Sequence, residues 1–526
     1  MKKIFLSLIL FAFALQASTQ ESERMSCTSI MVGRKATTDG SVITSHTCDS
    51  WYRTWMNMVP AADYPRDTTT TIYEGLMHTE HVTDMTNVKE KGTIPQARHT
   101  YRFLNTAYPC LNEKQLGMGE TTISGRDTLQ NKQGMFMIEE LARIALQRCT
   151  TARDAIRLMG QLIKDYGYGD SGECLTIGDP KEVWIFEVFG EGPDKIGGVW
   201  CAQRIPDDMV AISANISRIG KIDLTDTDHF MASENVYDVA RRLNLWDGVE
   251  EFSFWKAYSG GNYFNEPKNY SVRELYIMQQ LAPHAGFNND MNELPLCFKP
   301  EKLVSVQDVA HLLGSYYEGT ELNLSGRLRI PNASKGKDTQ APDSIVSPVA
   351  NPWIRPDEIA LYKALGDSAM NNIRTVSVPW CAYSTVIQLR DWLPDAIGGV
   401  AWMCLDNPGQ SPRFPIFAGN VELPMMLGVC GQHRQRQDAA LWHYRQANRI
   451  ASNRWGTARK TMEPAQQYFL DKGARELPFV QQTWKSLSGQ EAQAFLDGYT
   501  ADFFASTIMK WDDLEKTYWR QFWAGF

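Results

Sequence analysis

The chain has 526 residues, of which 43% are hydrophobic and 22% are charged, and its formal net charge is −8. These fractions exclude a mainly disordered chain, and the length allows about two to four average domains or one large enzyme with insertions. A mildly acidic chain without a dense basic run argues against nucleic acid or an anionic membrane surface as a partner.

The first residues have the three parts of a secretory signal peptide. Lys2 and Lys3 precede an apolar stretch at residues 4–15, and small residues follow. We therefore predict a signal peptide at 1–17 and a short spacer at 18–26. The short lysine-containing signal suggests a bacterial protein that is exported to the periplasm or beyond. No later apolar stretch is long enough to span a bilayer, so we expect a soluble mature protein.

Cys27 becomes a near-terminal residue once the signal peptide is removed. One further cut after Ser26 would place a free α-amine beside the thiol, so that one residue would carry a nucleophile and a base. A structural cysteine and a lipidated cysteine are the alternatives. The run Arg24-Met25-Ser26 lacks the apolar residue expected three positions before a lipidated cysteine. The structural role stays open from position alone.

The elements of the first half alternate between strands and paired helices. Two strands at 28–32 and 42–45 flank the turn Thr38-Asp39-Gly40, and apolar residues recur at helical spacing over 137–145 and 155–166. Thr151 to Asp154 resembles a capping box at the start of the second helix.

A block of paired strands follows, and turn residues separate the members of each pair. The predicted pairs are 173–177 with 183–189, 199–203 with 209–214, and 384–389 with 398–404. Residues 331–352 are rich in Pro, Ser, Lys and Asp, which predicts a long surface loop. From about residue 434 the pattern is helical. This order favours an α+β protein with antiparallel pairings.

Metal and cofactor signatures are mostly absent. His78-Thr79-Glu80-His81 sets two histidines three apart, but a zinc site needs further ligands and none are indicated, so this segment is predicted to be a solvated loop. Ten cysteines without a Cys-x-x-Cys pair do not form a disulfide scaffold. Cys174, Cys201 and Cys404 lie in apolar runs and are predicted to be small buried hydrophobes. We expect no metal and no cofactor.

Four groups of residues, in order along the chain, carry a family resemblance. The first group comprises Cys27 to Gly33, Thr38 to Ser41 and His46 to Ser50. The second is 111–122, the third is 204–215, and the fourth is 388–394 with Gly398-Gly399. Together they resemble the C69 family of dipeptidases, which are N-terminal nucleophile hydrolases related to bile salt hydrolase and penicillin V acylase. The resemblance extends from Cys27 to about Gly419, and the residues from 434 carry no assignable motif.

The resemblance implies a fold and a domain division. The fold is a four-layer αββα sandwich of the N-terminal nucleophile hydrolase type, with antiparallel sheets and a helical C-terminal extension. The catalytic domain would span 27–430 with its long loop at 331–352, and the helical C-terminal region would span 431–526.

The resemblance also implies the site residues. Cys27 is the nucleophile, Asp49 orients its amino group, and Asn215 donates to the tetrahedral oxyanion. Glu120, Thr122 and His46 are the implied substrate-binding residues. Of these, Glu120 would bind the substrate's ammonium group, and Thr122 would act through its backbone. A thiol is mostly protonated at neutral pH, so an α-amine with a pKa near 8 is a suitable base.

Each assignment has a simpler alternative. Asp49 could cap a turn, Asn215 could be a strand-end turn residue, and Glu120 could be a solvated loop carboxylate. His46 stands where the acylase relatives carry an arginine, and no residue matches their second, later arginine.

At the level of function, three readings follow. The first is a dipeptidase that hydrolyses small peptides, which the departures from the acylase pattern favour. The second is an amide hydrolase of the same fold that acts on N-acyl compounds. The third is a secreted protein that binds peptides or glycans without catalysis. Whether the protein forms a homo-oligomer stays open.

Overall fold

The computed structural model describes residues 26–259, 268–335, 340–367, 370–371 and 373–523. The predicted signal peptide and the predicted spacer, apart from Ser26, lie outside the described residues.

The described strands are short, and most belong to two sheets. In chain order they are β1 (Ser29–Val32), β2 (Val42–Asp49), β3 (Asn57–Val59), β4 (Ala62–Asp63), β5 (Thr69–Glu74), β6 (Lys89–Pro95), β7 (His99–Thr100), β8 (Phe103–Asn105), β9 (Leu111–Asn112), β10 (Gly117–Thr122), β11 (Glu173–Gly178), β12 (Val183–Phe189), β13 (Val199–Ile205), β14 (Val210–Ser213), β15 (Phe230–Ala232), β16 (Cys297–Phe298), β17 (Arg329–Pro331), β18 (Ser344–Val346), β19 (Cys381–Leu389), β20 (Val400–Leu405) and β21 (Phe414–Phe417).

The described α-helices range from one turn to nearly ten. In chain order they are α1 (Ile138–Arg148), α2 (Ala152–Tyr166), α3 (Val236–Arg242), α4 (Phe254–Tyr258), α5 (Val272–Leu281), α6 (Val306–Gly314), α7 (Leu324–Arg327), α8 (Pro356–Ala364), α9 (Asp395–Gly398), α10 (Ala440–Ser452), α11 (Trp455–Ser486) and α12 (Gly489–Trp523). Short 3₁₀ helices lie at Leu76–His78, Asp127–Leu129 and Met425–Gly428.

Two antiparallel sheets organise the described chain. The first sheet has the strand order β16-β14-β1-β2-β19-β20-β21, and the second has the order β15-β13-β12-β11-β10-β9-β8-β3. Three two-stranded ribbons, β4-β7, β5-β6 and β17-β18, lie outside them. The predicted α+β class with antiparallel sheets is confirmed.

The central strand β2 is buried along its whole length although half of it is polar. Its hydroxyl groups have partners. Thr44 Oγ1 lies 2.6 Å from Thr176 Oγ1 of the second sheet, and Ser45 Oγ donates to the carbonyl oxygen of Ile30 at 2.9 Å. Because a buried polar group without a partner is costly, these bonds are what allow a polar strand in the centre of the molecule.

The two sheets approach each other closely at Gly119 of β10. A methyl group at this position would overlap the carbonyl oxygen of Ser45 in β2 and crowd Thr176 Oγ1. Since Glu120 is the next residue, this close approach also sets the distance between Glu120 and the start of β1.

Helices contact both sheets. α1 and α2 pack on strands of the second sheet, where Gly160 of α2 lies against the ring of Trp200. α10, α11 and α12 contact β20 and β21 of the first sheet, and Gly473 of α11 lies against the ring of Trp402. The buried carboxylate of Asp406 accepts from Arg445 Nε of α10 at 2.7 Å. The C-terminal helices are therefore attached to the sheet by both apolar and ionic contacts.

Most predicted strand pairs are confirmed, and one is wrong. β11 pairs with β12 and β19 pairs with β20, as their turn residues predict. However, β13 and β14 do not pair: β13 lies between β12 and β15 in the second sheet, and β14 lies between β1 and β16 in the first. Turn residues 206–208 bend the chain, but they do not determine which sheet receives the next strand.

The structure also bears on the predicted loop 331–352, on the cysteines in apolar runs and on membrane-spanning helices. Ser344–Val346 pairs with Arg329–Pro331, so the predicted loop 331–352 contains part of a small hairpin, and its residues 336–339 lie outside the described part. Cys174, Cys201 and Cys404 are buried strand residues, as predicted, and all ten cysteines are free thiols. In the described part of the chain, no helix combines the length and apolarity needed to cross a bilayer.

Replacing Gly119 by alanine should destabilise the protein by about 1–3 kcal/mol, because the added methyl group must push the sheets apart. Urea unfolding monitored by tryptophan fluorescence measures this. Gly498→Ala is the matched control, since Gly498 lies in the interior of α12 with open space around it, and alanine there should be neutral or slightly stabilising. Equal stabilities of the two variants would contradict close packing at Gly119.

Candidate active site

Cys27 lies immediately before β1 and is almost completely buried, with 1% of its surface exposed. Its Sγ is 3.7 Å from Glu120 Oε2 of the second sheet. Its backbone nitrogen donates to Asn215 Oδ1 at 2.9 Å. The nitrogen and the sulfur of this one residue are therefore both held against side chains from distant parts of the chain.

The surroundings of Cys27 favour the neutral thiol. Burial, and next the nearby carboxylate of Glu120, raise the pKa of the Cys27 thiol well above its ordinary value. A backbone hydrogen bond from Asp49 acts in the opposite direction but is the weaker effect. Since only the thiolate is a strong nucleophile, this thiol needs a base close by to react near neutral pH.

Asp49 ends β2, and its carboxylate is held by two donors. Arg374 Nη2 donates to Asp49 Oδ2 at 2.6 Å, and Thr47 Oγ1 donates to the same oxygen at 2.9 Å. Burial nevertheless raises the pKa of Asp49, because it outweighs the attraction of Arg374. Asp49 Oδ1 is buried without a hydrogen-bond partner among the described residues, so it is free to accept a further donor.

Ser26, the last residue of the predicted spacer, is fully buried. Arg374 Nε donates to Ser26 Oγ at 2.8 Å, and Arg374 Nη2 donates to the carbonyl oxygen of Ser26 at 3.2 Å. The peptide bond between Ser26 and Cys27 therefore lies inside the site and carries a cationic donor on its carbonyl group.

Asn215 follows β14 in the left-handed backbone region, with φ of 66°. This conformation costs energy for a residue other than glycine. It often occurs at functional sites, where a side chain is held in a fixed direction. Here Asn215 Oδ1 faces the nitrogen of Cys27, and Asn215 Nδ2 donates to the carbonyl oxygen of Thr122 at 2.8 Å. Asn215 thus connects Cys27 with the end of β10.

Arg273 is a site residue that the sequence did not reveal. Its buried guanidinium donates to the carbonyl oxygens of Cys27 at 2.6 Å and Ala214 at 3.0 Å, and to Asn215 Oδ1 at 3.0 Å. Burial lowers the pKa of Arg273 to about 10, so it stays charged at neutral pH. It lies in the first turn of the capped helix α5, where the helix dipole disfavours a cation, and that placement was the available signal.

Glu120 is fully buried in β10, so the alternative of a solvated loop carboxylate is wrong. Burial raises the pKa of Glu120 to about 7, and a hydrogen bond with Glu173 of the adjoining strand acts against that rise. Burial and the proximity of Glu120 raise the pKa of Glu173 well above its ordinary value. Thr122 Oγ1 donates to Glu120 Oε1 at 3.2 Å. The two carboxyl groups therefore hold at least one proton at neutral pH.

His46 is buried in β2 and neutral. The backbone N–H of Glu120 donates to His46 Nδ1 at 2.7 Å, which assigns the ring proton to Nε2. Burial lowers the pKa of His46 to about 3. His46 Nε2 has no hydrogen-bond partner among the described residues and lies 3.9 Å from Glu120 Oε2. An unused buried donor therefore points into the site.

Aromatic rings form the wall behind His46. The ring of Tyr383 is stacked on His46 at 5.7 Å between centroids, and the ring of Tyr108 lies at 5.6 Å. Tyr52 packs edge-on against Tyr108 at 5.3 Å. These rings hold the imidazole in one orientation and keep water from its inner face.

The six predicted site residues lie together in the structure. Cys27 contacts Glu120 and Asn215 directly, Asn215 contacts Thr122, His46 contacts Glu120, and Arg374 connects Asp49 with Ser26. The sequence analysis missed Arg273, Arg374 and Glu173. The roles assigned to the six residues stay predictions.

Two groups of described residues have metal-ligating atoms within 4.8 Å of one another. One is Cys27 with His46 and Glu120, whose thiol, imidazole and carboxyl group form the site above. The other is Glu80 with Cys430 and His433, at a separate pocket.

Comparison with known proteins gives one family and several relatives. The family described as "Peptidase family C69" matches residues 26–468. A "Probable dipeptidase" of Latilactobacillus sakei is 25% identical over 418 residues, which cover 76% of this chain and 75% of that protein. A "Probable dipeptidase B" of Streptococcus pyogenes serotype M1 is 24% identical over 445 residues, which cover 80% and 76%. A "Probable dipeptidase" of Salmonella dublin is 27% identical over 317 residues, which cover 59% and 62%.

Replacing Arg273 by methionine should destabilise the protein by about 3 kcal/mol or more, because several buried oxygen atoms lose their donor at about 1–3 kcal/mol each. Urea unfolding measures the loss. Arg34→Ala is the control, since Arg34 pairs with Asp391 in solvent at 3.4 Å and its removal should cost only about 0–1 kcal/mol. A loss from Arg273→Met as small as that of the control would show that the network is not needed for stability.

Proposed function

Since the chain belongs to peptidase family C69, we propose that it is a dipeptidase with Cys27 as an N-terminal nucleophile. The observation that carries this proposal is the position of Cys27. Its nitrogen is held by Asn215 Oδ1 at 2.9 Å while its Sγ lies 3.7 Å from Glu120. If the bond before Cys27 is cut, the α-amine is already beside the thiol in a buried site.

The proposed maturation step removes Ser26 from Cys27. Because this peptide bond is buried, an external protease has no access to it in the folded chain, and we assign the cut to the chain itself. Glu120 Oε2, 3.7 Å from Cys27 Sγ, takes the thiol proton as the sulfur attacks the Ser26 carbonyl carbon, whose oxygen accepts from Arg374 Nη2. The C–N bond breaks, the nitrogen of Cys27 takes the proton, and a thioester forms. Water then hydrolyses the thioester and leaves a carboxylate on Ser26.

The architecture suits this assignment. The facing sheets, with α1 and α2 on one and α10 to α12 on the other, are the basis for a four-layer αββα sandwich of the N-terminal nucleophile hydrolase type. In this proposal residues 27–430 form the catalytic domain and 431–526 form a helical cover on the first sheet. The signal at 1–17 would export the chain before it matures.

In the proposed reaction the α-amine of Cys27 takes the thiol proton, and the thiolate attacks the dipeptide carbonyl. The amine then protonates the leaving amino acid, and water hydrolyses the acyl-enzyme. Asn215 Nδ2 and the backbone at Thr122 are the proposed oxyanion donors. Asp49, through its unpartnered Oδ1, would orient the α-amine, and His46 Nε2–H would donate to the substrate.

The preference for free dipeptides rests on the buried acids. An N-terminal ammonium group beside Glu120 and Glu173 would neutralise a carboxylate that burial otherwise disfavours. An N-acyl group offers no such charge. The same two carboxyl groups would make an unfavourable pocket for an apolar acyl chain, and for this reason we place the dipeptidase ahead of the acylase.

Cys27→Ala should abolish dipeptide hydrolysis and leave the spacer attached, while the fold stays intact, because one small side chain is lost. Intact mass should show that active wild-type protein starts at Cys27 and that the variant does not. Cys297→Ala is the control, since it removes another thiol outside the site and should mature and turn over normally. A fully active wild-type chain that still carries Ser26 would rule out the α-amine as base.

Glu120→Gln should lower kcat/KM on free dipeptides by roughly one to two orders of magnitude, the value of a buried charge-assisted contact of about 1.5–3 kcal/mol. The loss on N-acetylated substrates should be much smaller. Glu90→Gln, at an exposed position of β6, is the control and should change neither. Equal losses on both kinds of substrate would assign Glu120 a structural role.

The pH dependence of kcat/KM in the wild type and in Glu120→Gln gives a further test. The pKa of Glu120 is about 7, so its carboxylate forms as the pH rises through that value. The kcat/KM for free dipeptides should therefore rise with pH through about 7, and Glu120→Gln should lose this limb. A wild-type preference for acetylated over free dipeptides would instead favour the acylase function.

A further inference from the structure

We propose that Glu80, Cys430 and His433 form a zinc site that joins the loop between β5 and β6 to the segment before α10. A carboxylate oxygen, a thiol sulfur and an imidazole nitrogen of these residues lie within 4.8 Å of one another. This is a ligand set that Zn²⁺ accepts. The proposal does not depend on the proposed function, because none of these residues belongs to the catalytic group.

The backbone around the three residues is held in place without a metal. The N–H of Cys430 donates to the carbonyl oxygen of Glu80 at 3.3 Å. Thr54 Oγ1 accepts from the N–H of Gly431 at 3.0 Å and lies 3.8 Å from Cys430 Sγ. Gln432 Nε2 donates to the carbonyl oxygen of Ser50 at 2.6 Å. The ligands are therefore brought together by contacts that a metal would reinforce.

The donor atoms are available to a cation. Glu80 Oε2 is buried and accepts no hydrogen bond in the described part of the chain. Arg434 Nε lies 3.9 Å from it, beyond hydrogen-bond distance, and 65% of the Arg434 side chain is exposed, so it can move away. Cys430 is fully buried and His433 is exposed. A metal would thus reach the buried thiol from the solvent side.

The surrounding pocket can complete the coordination. It has a volume of about 470 Å³ and is lined by Glu80, His433, His81 and Asp84, whereas the buried Cys430 does not line it. Water or the side chain of His81 or Asp84 can occupy the fourth position of a tetrahedral ion. On binding, Cys430 Sγ forms a bond to Zn²⁺ and releases its proton to solvent, and the thiolate and the Glu80 carboxylate balance the two positive charges.

The sequence motif contained one of the three ligands of this site. His78-Thr79-Glu80-His81 was predicted to be a solvated loop because no further ligands were indicated. The fold supplies Cys430 and His433 from about 350 residues further along the chain, and it places Glu80 rather than the histidine pair at the centre. No local spacing could have connected these positions.

The location indicates a structural role for the metal. Ser50 and Thr54 follow directly after Asp49, and the ring of Trp51 is stacked on His433 at 6.4 Å between centroids. A bound ion would fix segment 430–433, which already contacts residues 50–54, on the loop that carries Glu80. It would therefore stabilise the fold at the edge of the cleft without touching a substrate.

Cobalt titration of untagged Cys27→Ala protein tests the site. This variant removes the other metal-ligating group, so any thiolate band must come from elsewhere. One Co²⁺ per chain should bind, with a near-ultraviolet sulfur-to-cobalt charge-transfer band and the visible bands of tetrahedral cobalt. Zn²⁺ should displace it and raise the midpoint of thermal unfolding. Absence of a charge-transfer band at saturating Co²⁺ would overturn the proposal.

Two ligand variants in the same background locate the ion. Cys430→Ser should lose the charge-transfer band, and His433→Ala should weaken Co²⁺ binding by more than about tenfold. His433 is exposed, so the second variant keeps the test decisive if the first does not fold. His284→Ala is the matched control, since this exposed histidine pairs with Glu301 at 2.8 Å and should leave binding unchanged. A band that persists in Cys430→Ser, or unchanged binding in His433→Ala, would overturn the assignment.

Discussion

Arg273 donates from one buried guanidinium to the carbonyl oxygen of Cys27 and to Asn215 Oδ1, and Asn215 Oδ1 also accepts from the nitrogen of Cys27. A buried cation must satisfy its donors, and here the acceptors are the backbone of Cys27 and the side chain of its partner Asn215. The position of Cys27 is therefore fixed by the need to solvate a charge inside the protein. The strained backbone of Asn215 and the start of α5 are held in place by the same requirement.

The charges around Cys27 are arranged unlike those of most reactive cysteines. Reactive thiols usually lie near cations that stabilise the thiolate. Here Glu120 lies 3.7 Å from the sulfur, His46 is neutral, and burial raises the pKa of the thiol. Such an environment favours the neutral thiol, so any reaction of the sulfur depends on a proton acceptor placed close to it. In such a site, the reactivity of the cysteine would depend on a nearby proton acceptor and not on a thiolate that is already ionised.

Local patterns predicted the parts of the structure that local contacts determine. The hairpins β11-β12 and β19-β20 follow from turn residues between apolar runs, and the cap at Thr151 follows from its side chain. The separation of β13 and β14 into different sheets could not be predicted, because the partners of both strands lie far along the chain. The same applies to the site: motifs near Cys27, Asp49 and Asn215 are continuous in sequence, whereas Arg273 and Arg374 reach the site only through the fold.

The residues that contact Cys27 are synthesised long after Cys27 itself. Cys27 precedes by far the groups that hold it: the guanidinium groups come from positions 273 and 374, and the helices behind its sheet end at 523. Nearly the whole chain must therefore emerge before the first residues have a place to dock. The groups around Cys27 therefore come together only when the fold closes, and a partly made or unfolded chain carries them far apart and without the arrangement that the site requires.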